Sequence, residues 1–138
     1  MAGLKVLGNQ KGVALVEMAL VAPIFVVVLF GLLEFGYIIY SKQVLANASR
    51  EGARLGVVLS NPRKTQAEIE EQVQKYLEKS GFDPTEVTVT YPSGLPGASG
   101  DPFAVRLDYA YNFKVLPKFI QSLTGSLGLT AEAVMLME

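Results

Sequence analysis

A long apolar segment near the N-terminus constrains this chain more than any other feature of its sequence. Residues 18–33 contain no charged side chain, and extending the segment back to Val13 adds one carboxylate, Glu17. As a helix, residues 13–33 would be about 30 Å long, which matches the hydrocarbon thickness of a bilayer. Pro23 lies inside the segment and should bend the helix by freeing one carbonyl. We therefore predict one transmembrane helix.

The length of chain beyond this helix decides its expected orientation. Positive charges flank both ends of the helix, so their number does not decide its orientation in the membrane. Residues 41–138 follow the helix, however, and segments of this length are translocated largely regardless of charge. We therefore expect the N-terminal flank to stay in the cytoplasm. The alternative is a cleaved secretory signal with a small-x-small site at Ala46–Ala48, but its apolar region would exceed the usual length of about 7–15 residues.

The helical pattern continues beyond the membrane segment to about residue 58. Apolar residues recur at helical spacing there, and Ser60-Asn61-Pro62 then ends the helix. Ala48, Gly52 and Gly56 lie four residues apart and form a narrow strip of small side chains. Two interpretations stay open. Such a strip lets another backbone approach closely, whereas two glycines can also simply weaken the end of a helix.

After this helix the sequence pattern predicts a small α+β domain. Thr65 and Glu68 form a capping box that begins a second helix, which ends near Ser80. Apolar alternation predicts strands at 87–91, at 103–113 and from 127 to the C-terminus, with a loop at 92–102 and a linker or short helix at 116–123. The expected fold is α+β, with one helix packed on an antiparallel sheet of about three strands. The expected core comprises Ile69, Val73, Leu77, Val87, Val89, Val105, Leu107, Tyr109 and Tyr111.

The composition argues against catalysis and against nucleic-acid binding. The chain has no cysteine and no histidine. Disulfides, thiolate zinc sites and cysteine nucleophiles are therefore excluded, and the commonest general base and transition-metal ligand is missing. A net charge of −1 gives no reason to expect nucleic acid as a partner. We predict that the protein is not an enzyme, and that it has no catalytic residues, metal site or cofactor.

Residues at the start of the apolar segment carry the functional signal. Gly12 precedes the segment and provides a flexible site without a side chain, which a protease cleft can take in extended form. Glu17 lies close enough to the helix start to reach the interface, which reduces the cost of about 2.5–3.5 kcal/mol for a carboxylate at the centre of the bilayer. By themselves these residues favour an uncleaved anchor. Glu34 lies about 25 Å further along the helix; we expect it to be solvated near the outer interface, and an assembly role stays open.

Several features follow one another in order between residue 11 and about residue 58. They are Lys11-Gly12, Val16-Glu17, Ala19-Leu20, Pro23, Glu34-Phe35-Gly36 and the segment Asn47–Arg54. Together they resemble the signature of TadE-like pseudopilins, which belong to the tight-adherence, or Flp, type IVb pilus system. The sequence departs from this family at Met18, where an aromatic residue commonly follows the glutamate.

The resemblance implies processing by prepilin peptidase, a membrane aspartic protease, between Gly12 and Val13. Glu17 would then be the fifth residue of the mature protein, the position at which type IV pilins carry their assembly glutamate. The implied organisation is a cytoplasmic leader (1–12), a transmembrane and stem helix (13–58) and a periplasmic or extracellular α+β domain (59–138). No cofactor is implied.

The resemblance also implies partners and a location. The partners are prepilin peptidase, the bacterial inner membrane, and other pilin or pseudopilin subunits that pack on the N-terminal helix, with Pro23 and the strip of Ala48, Gly52 and Gly56 as packing positions. The protein would cross the inner membrane once and then enter the periplasm or a pilus at the cell surface, for adhesion or secretion. The alternative is an uncleaved envelope anchor whose periplasmic domain binds a partner.

Overall fold

The chain folds as one long helix whose C-terminal half joins a second helix and a three-stranded sheet. The computed structural model describes residues 10–60, 62–95, 97–115, 122 and 125–137. The elements are α1 (Gln10–Val57), α2 (Gln66–Lys79), a short 3-10 helix (Pro84–Glu86), β1 (Val87–Thr90), β2 (Pro102–Tyr111) and β3 (Leu127–Leu136). The predicted α+β class, with a long N-terminal helix and a helix on an antiparallel three-stranded sheet, is confirmed.

The two halves of α1 have different surroundings. The helix is 48 residues long and continues through Pro23. From Val13 to Leu33 nearly all of its large apolar side chains are exposed. This part is long and apolar enough to cross a membrane, and none of its most apolar stretch is buried against the rest of the chain. An apolar surface of this size requires lipid or other apolar helices to cover it.

The second half of α1 forms part of the core of the α/β unit. Val44, Leu45, Ala48 and Ala53 are buried in one cluster with residues of α2 and of all three strands. The helix is therefore a candidate membrane segment at one end and part of the folded domain at the other. Its stem and the elements that follow share a single core.

Helix α2 begins and ends where its local sequence predicts. The Thr65 hydroxyl accepts the backbone N–H of Glu68 at 3.4 Å, and the Glu68 carboxylate accepts the Thr65 N–H at 2.8 Å, which completes the capping box. Gly81 follows the helix with φ of +76°, a conformation that favours glycine. Ile69, Val73 and Leu77 form the buried face of the helix, as expected.

The capping box has a measurable electrostatic consequence. Hydrogen bonds from Lys64 and from the backbone and hydroxyl of Thr65 lower the pKa of Glu68 to about 2. Because this folded-state pKa lies below the ordinary value, the carboxylate stabilises the fold above about pH 4.5, and its contribution declines as the pH falls towards 2.

We expect the carboxyl carbon resonance of Glu68 to titrate with a midpoint near pH 2. Thr65→Ala removes the hydroxyl of the box and should move the midpoint upward, towards the ordinary range. Thr65→Ser keeps the hydroxyl and should keep the midpoint low. A wild-type midpoint near pH 4.5 would contradict the capping geometry.

The sheet is antiparallel with the order β1-β2-β3, so β2 is central. Its inward residues are all buried against the helices: Phe103, Val105, Leu107, Tyr109 and Tyr111. The predicted core is confirmed, although Val89 is only partly buried because it lies on the short edge strand β1. β2 also ends at Tyr111, two residues earlier than predicted. The expected linker at 116–123 lies outside the described residues, apart from Ser122.

Candidate functional site

The expected cleavage position lies in the first turns of α1. The helix begins at Gln10, so the bond between Gly12 and Val13 is helical in the structure. Glycine costs about 0.5–1 kcal/mol in a helix relative to alanine, and the first residues of a helix fray readily. A protease could therefore unwind this end at a small cost. Residues 1–9, most of the expected leader, lie outside the described residues.

Glu17 is an isolated charge on an apolar helix surface. It is exposed, and it lies one helical turn, about 6 Å, beyond Val13. No other acidic or basic residue occurs between Val13 and Leu33. In a bilayer or among packed helices this carboxylate needs a partner, because an unpaired charge in low dielectric is costly. The structure thus places Gly12, Val13 and Glu17 together at one end of the exposed helix.

The strip of small residues lies inside the α/β unit. A Cβ atom on Gly52 would lie 2.7 Å from Cγ2 of Val73 in α2, and a Cβ atom on Gly56 would overlap the ring of Phe103 in β2. Ala48 is fully buried. The elements that approach the two glycines of the strip closely in the structure are α2 and β2 of the same chain.

This packing predicts a position-dependent effect of alanine in α1. Gly56→Ala should lower the free energy of unfolding by about 1–3 kcal/mol, because the added methyl group overpacks the contact with Phe103. Thermal unfolding of the full chain in detergent, followed by near-UV circular dichroism, would measure it. Gly36→Ala is the matched control, since a Cβ atom there meets nothing within 4 Å. Equal melting temperatures for both variants would contradict the assigned packing.

The expectation that Glu34 is solvated is wrong. Glu34 is only 2% exposed. Its carboxylate accepts a hydrogen bond from the Tyr111 hydroxyl, and it accepts the backbone N–H groups of Lys114 at 2.9 Å and Val115 at 2.7 Å. The carboxylate is buried because the chain turns back against α1 directly after β2, a contact that helical spacing alone does not reveal. We refer to Glu34, Tyr111, Lys114 and Val115 as the Glu34 clasp.

Aromatic side chains surround the clasp. Tyr37 lies beside Tyr111, with ring centroids 6.3 Å apart, and the ring centroid of Phe113 lies 5.9 Å from that of Tyr111. The Lys114 ammonium lies 5.2 Å from the centroid of the Tyr37 ring, within range of a cation–π interaction. Burial raises the pKa of Tyr111, and the hydrogen bond to Glu34 raises it further. The phenol therefore keeps its proton and remains a hydrogen-bond donor.

The described residues form no group of three or more histidine, cysteine, aspartate or glutamate side chains that could hold a metal ion. What the described part of the chain offers instead is an apolar helix with one terminal carboxylate, joined to a small domain by a buried polar contact.

Comparison with known proteins assigns the N-terminal region. Residues 12–54 match the TadE-like protein family. The match confirms the recognition made from the sequence. It spans α1 from Gly12 to Arg54 and so includes Glu17, Pro23 and Glu34. No curated protein and no solved structure matches the chain.

The TadE-like family is associated with the Tad pilus system, and the match covers less than a third of the chain. The apolar half of the matched segment is a candidate membrane helix. The match ends at Arg54, before α2 and the sheet.

Proposed function

We propose that this chain is a TadE-like pilin or minor pseudopilin that prepilin peptidase processes and that enters, or initiates, a type IVb Flp/Tad pilus for adhesion or secretion. The observation that carries the proposal is the exposed apolar stretch at residues 13–33 of the TadE-like segment. Its one charged residue, Glu17, lies five positions after Gly12. The protein acts as a structural subunit, without catalysis, a cofactor or nucleic acid.

The proposed first step is removal of residues 1–12 at the cytoplasmic face of the inner membrane. Cleavage after Gly12 leaves a new α-amino group on Val13, with a reference pKa of about 7.7–8.0. This cation lies one turn from Glu17 of the same helix. Residues 13–58 then form the membrane and stem helix, and residues 59–138 complete a domain in the periplasm.

The proposed second step is the transfer of the helix from lipid to other subunits. A helix whose exposed surface is apolar apart from Glu17 is stable only in lipid or among other apolar helices. Pilin or pseudopilin helices that pack around Val13–Leu33 would meet this requirement, with Pro23 shaping the contact. The α/β unit would remain on the outside of the assembly, towards the periplasm or the cell surface.

The test is the N-terminus of the protein from native membranes. Wild-type protein should begin at Val13, and Gly12→Leu should be inserted but keep residues 1–12, because a bulky side chain blocks the protease cleft. N-terminal sequencing and intact mass measure both. Gly31→Leu is the matched control and should be processed normally, since Gly31 is exposed with nothing within 4 Å of its Cβ position.

Two results would count against the proposal. A mature N-terminus at Val13 in Gly12→Leu protein would show that the cleavage site is wrongly assigned. A full-length wild-type chain in cells that carry the pilus system would support the uncleaved anchor, an alternative that agrees with the helical conformation at Gly12.

A further inference from the structure

The Glu34 clasp lies between the membrane half of α1 and its buried half. The first residue of α1 that is fully buried in the α/β unit is Ser41. Between Glu34 and Ser41 lies Gly36, an exposed glycine whose Cβ position has no neighbour within 4 Å. Glycine in a helix interior weakens the helix, because its backbone has more conformational freedom than that of other residues. Gly36 is therefore the position between Glu34 and Ser41 at which the helix bends most easily.

The clasp bridges this bending point. Glu34 precedes Gly36 in α1, whereas Tyr111, Lys114 and Val115 belong to the end of β2 and the turn after it. Lys114 makes a second contact beyond the glycine, with the ring of Tyr37. A bend at Gly36 would have to break these contacts, and the carboxylate would lose three donors in a site from which water is excluded.

The hydrogen bonds of the Glu34 clasp are directional, unlike the apolar packing of the buried half of α1. Apolar side chains tolerate small rotations, whereas hydrogen bonds to two adjacent N–H groups and one hydroxyl require a single placement of the carboxylate. Glu34 lies about 25 Å from Glu17 along the axis and about 100° from it around the axis. Because α1 continues as one helix through Pro23, fixing the helix at Glu34 also sets the direction in which Glu17 projects relative to the α/β unit.

We propose that Glu34 is a positioning residue. Its clasp prevents α1 from bending at Gly36 and holds the membrane half of the helix in one direction relative to the α/β unit. Its consequence for assembly rests on the proposed function. A subunit that presents Glu17 in one direction can dock its helix and its domain on neighbouring subunits at the same time. A subunit that bends freely at Gly36 must first lose that freedom, which weakens docking.

The first test measures the clasp in the full-length chain in lipid nanodiscs. Hydrogen exchange of the Lys114 and Val115 amides should accelerate about tenfold or more in Glu34→Gln, because both amides lose a charged acceptor. Tyr111→Phe removes one donor without adding a polar group and should accelerate the same two amides less. Glu78→Gln, the same chemical change at an exposed position of α2, should leave them unchanged. Unchanged exchange in Glu34→Gln would overturn the clasp.

The second test measures the direction of the helix. The chain has no cysteine, so no native residue would take a thiol-reactive spin label. Labels at Val21→Cys in the membrane half and at Thr88→Cys in β1 therefore report a single distance distribution. Glu34→Gln should broaden this distribution, and adding Gly36→Ala should narrow it again, since alanine stiffens the helix and fits the site. A merely structural role for Glu34 would not be rescued by Gly36→Ala. A distance distribution that stays narrow in Glu34→Gln would show that the clasp does not prevent bending at Gly36.

The assembly consequence is tested in cells. Glu34→Gln protein should be processed normally but lose most of its incorporation into pili, and Glu34→Gln/Gly36→Ala should recover part of it. Normal incorporation of the single variant, together with a broadened distance distribution, would overturn the docking role and leave the proposed function intact. The proposed function has a separate test: a wild-type chain that keeps residues 1–12 would contradict it.

Discussion

Cells in which Glu17→Gln is the sole form of the protein are expected to insert and process it normally but to make few or no pili. Cleavage creates a cation at Val13, and helices packed side by side with an axial offset would bring it close to Glu17 of a neighbouring subunit. In low dielectric the paired charges are favoured over either charge alone. A subunit docked out of register would leave both charges unpaired, so the pair selects the register of assembly more than it adds affinity.

Four measurements distinguish this outcome from a general loss of protein. Intact mass should show the mature N-terminus, membrane fractions should contain normal amounts of the variant, and its co-purification with partner pilins and the yield of sheared pili should both fall sharply. Glu17→Asp keeps the charge on a shorter side chain and should recover part of the yield. Glu78→Gln, on the exposed surface of α2, is the neutral control. Normal pilus production by Glu17→Gln cells would rule out this role and leave Glu17 as an ordinary interfacial residue.

Leu107→Asp is expected to prevent folding of the α/β unit. Leu107 is fully buried at the centre of β2, opposite Val89 on one side and Ala131 on the other. A carboxylate there would be unpaired among apolar side chains, which is one of the few mechanisms that cost about 4 kcal/mol or more. Since small domains are stable by only about 5–15 kcal/mol, such a loss removes most of the stability.

The experiment uses a soluble fragment of residues 41–138. It keeps the hydrophobic core cluster, which runs from Val44 to Met137, and it lacks Glu34 of the clasp. We expect it to fold as a monomer without the membrane helix. Thermal unfolding by circular dichroism should show a cooperative transition for the wild-type fragment and none for Leu107→Asp. Ala110→Asp introduces the same carboxylate on the exposed face of β2 and should retain the transition. Equal stability of the two variants would show that the inward face of β2 is wrongly assigned.

Local patterns in the sequence predicted most of the secondary structure and the core. The capping box at Thr65, the buried face of α2 and the alternation along β2 all connect side-chain period directly to burial, so each could be read without knowing the rest of the fold. The same holds for the membrane half of α1, because length and apolarity alone define such a segment. The TadE-like match agrees with the ordered motifs of that segment. Cleavage after Gly12 and the role of Glu17 stay predictions.

Two features of α1 have contacts that only the tertiary structure decided: the strip of small residues and the carboxylate of Glu34. The strip from Ala48 to Gly56 faces α2 and β2 because the chain folds back on its own stem, and the spacing of small residues is the same for any close partner. Glu34 is buried by groups 77 to 81 residues away in the chain. No local period encodes that distance: a carboxylate near a membrane interface is solvated or buried according to which distant donors the fold brings to it.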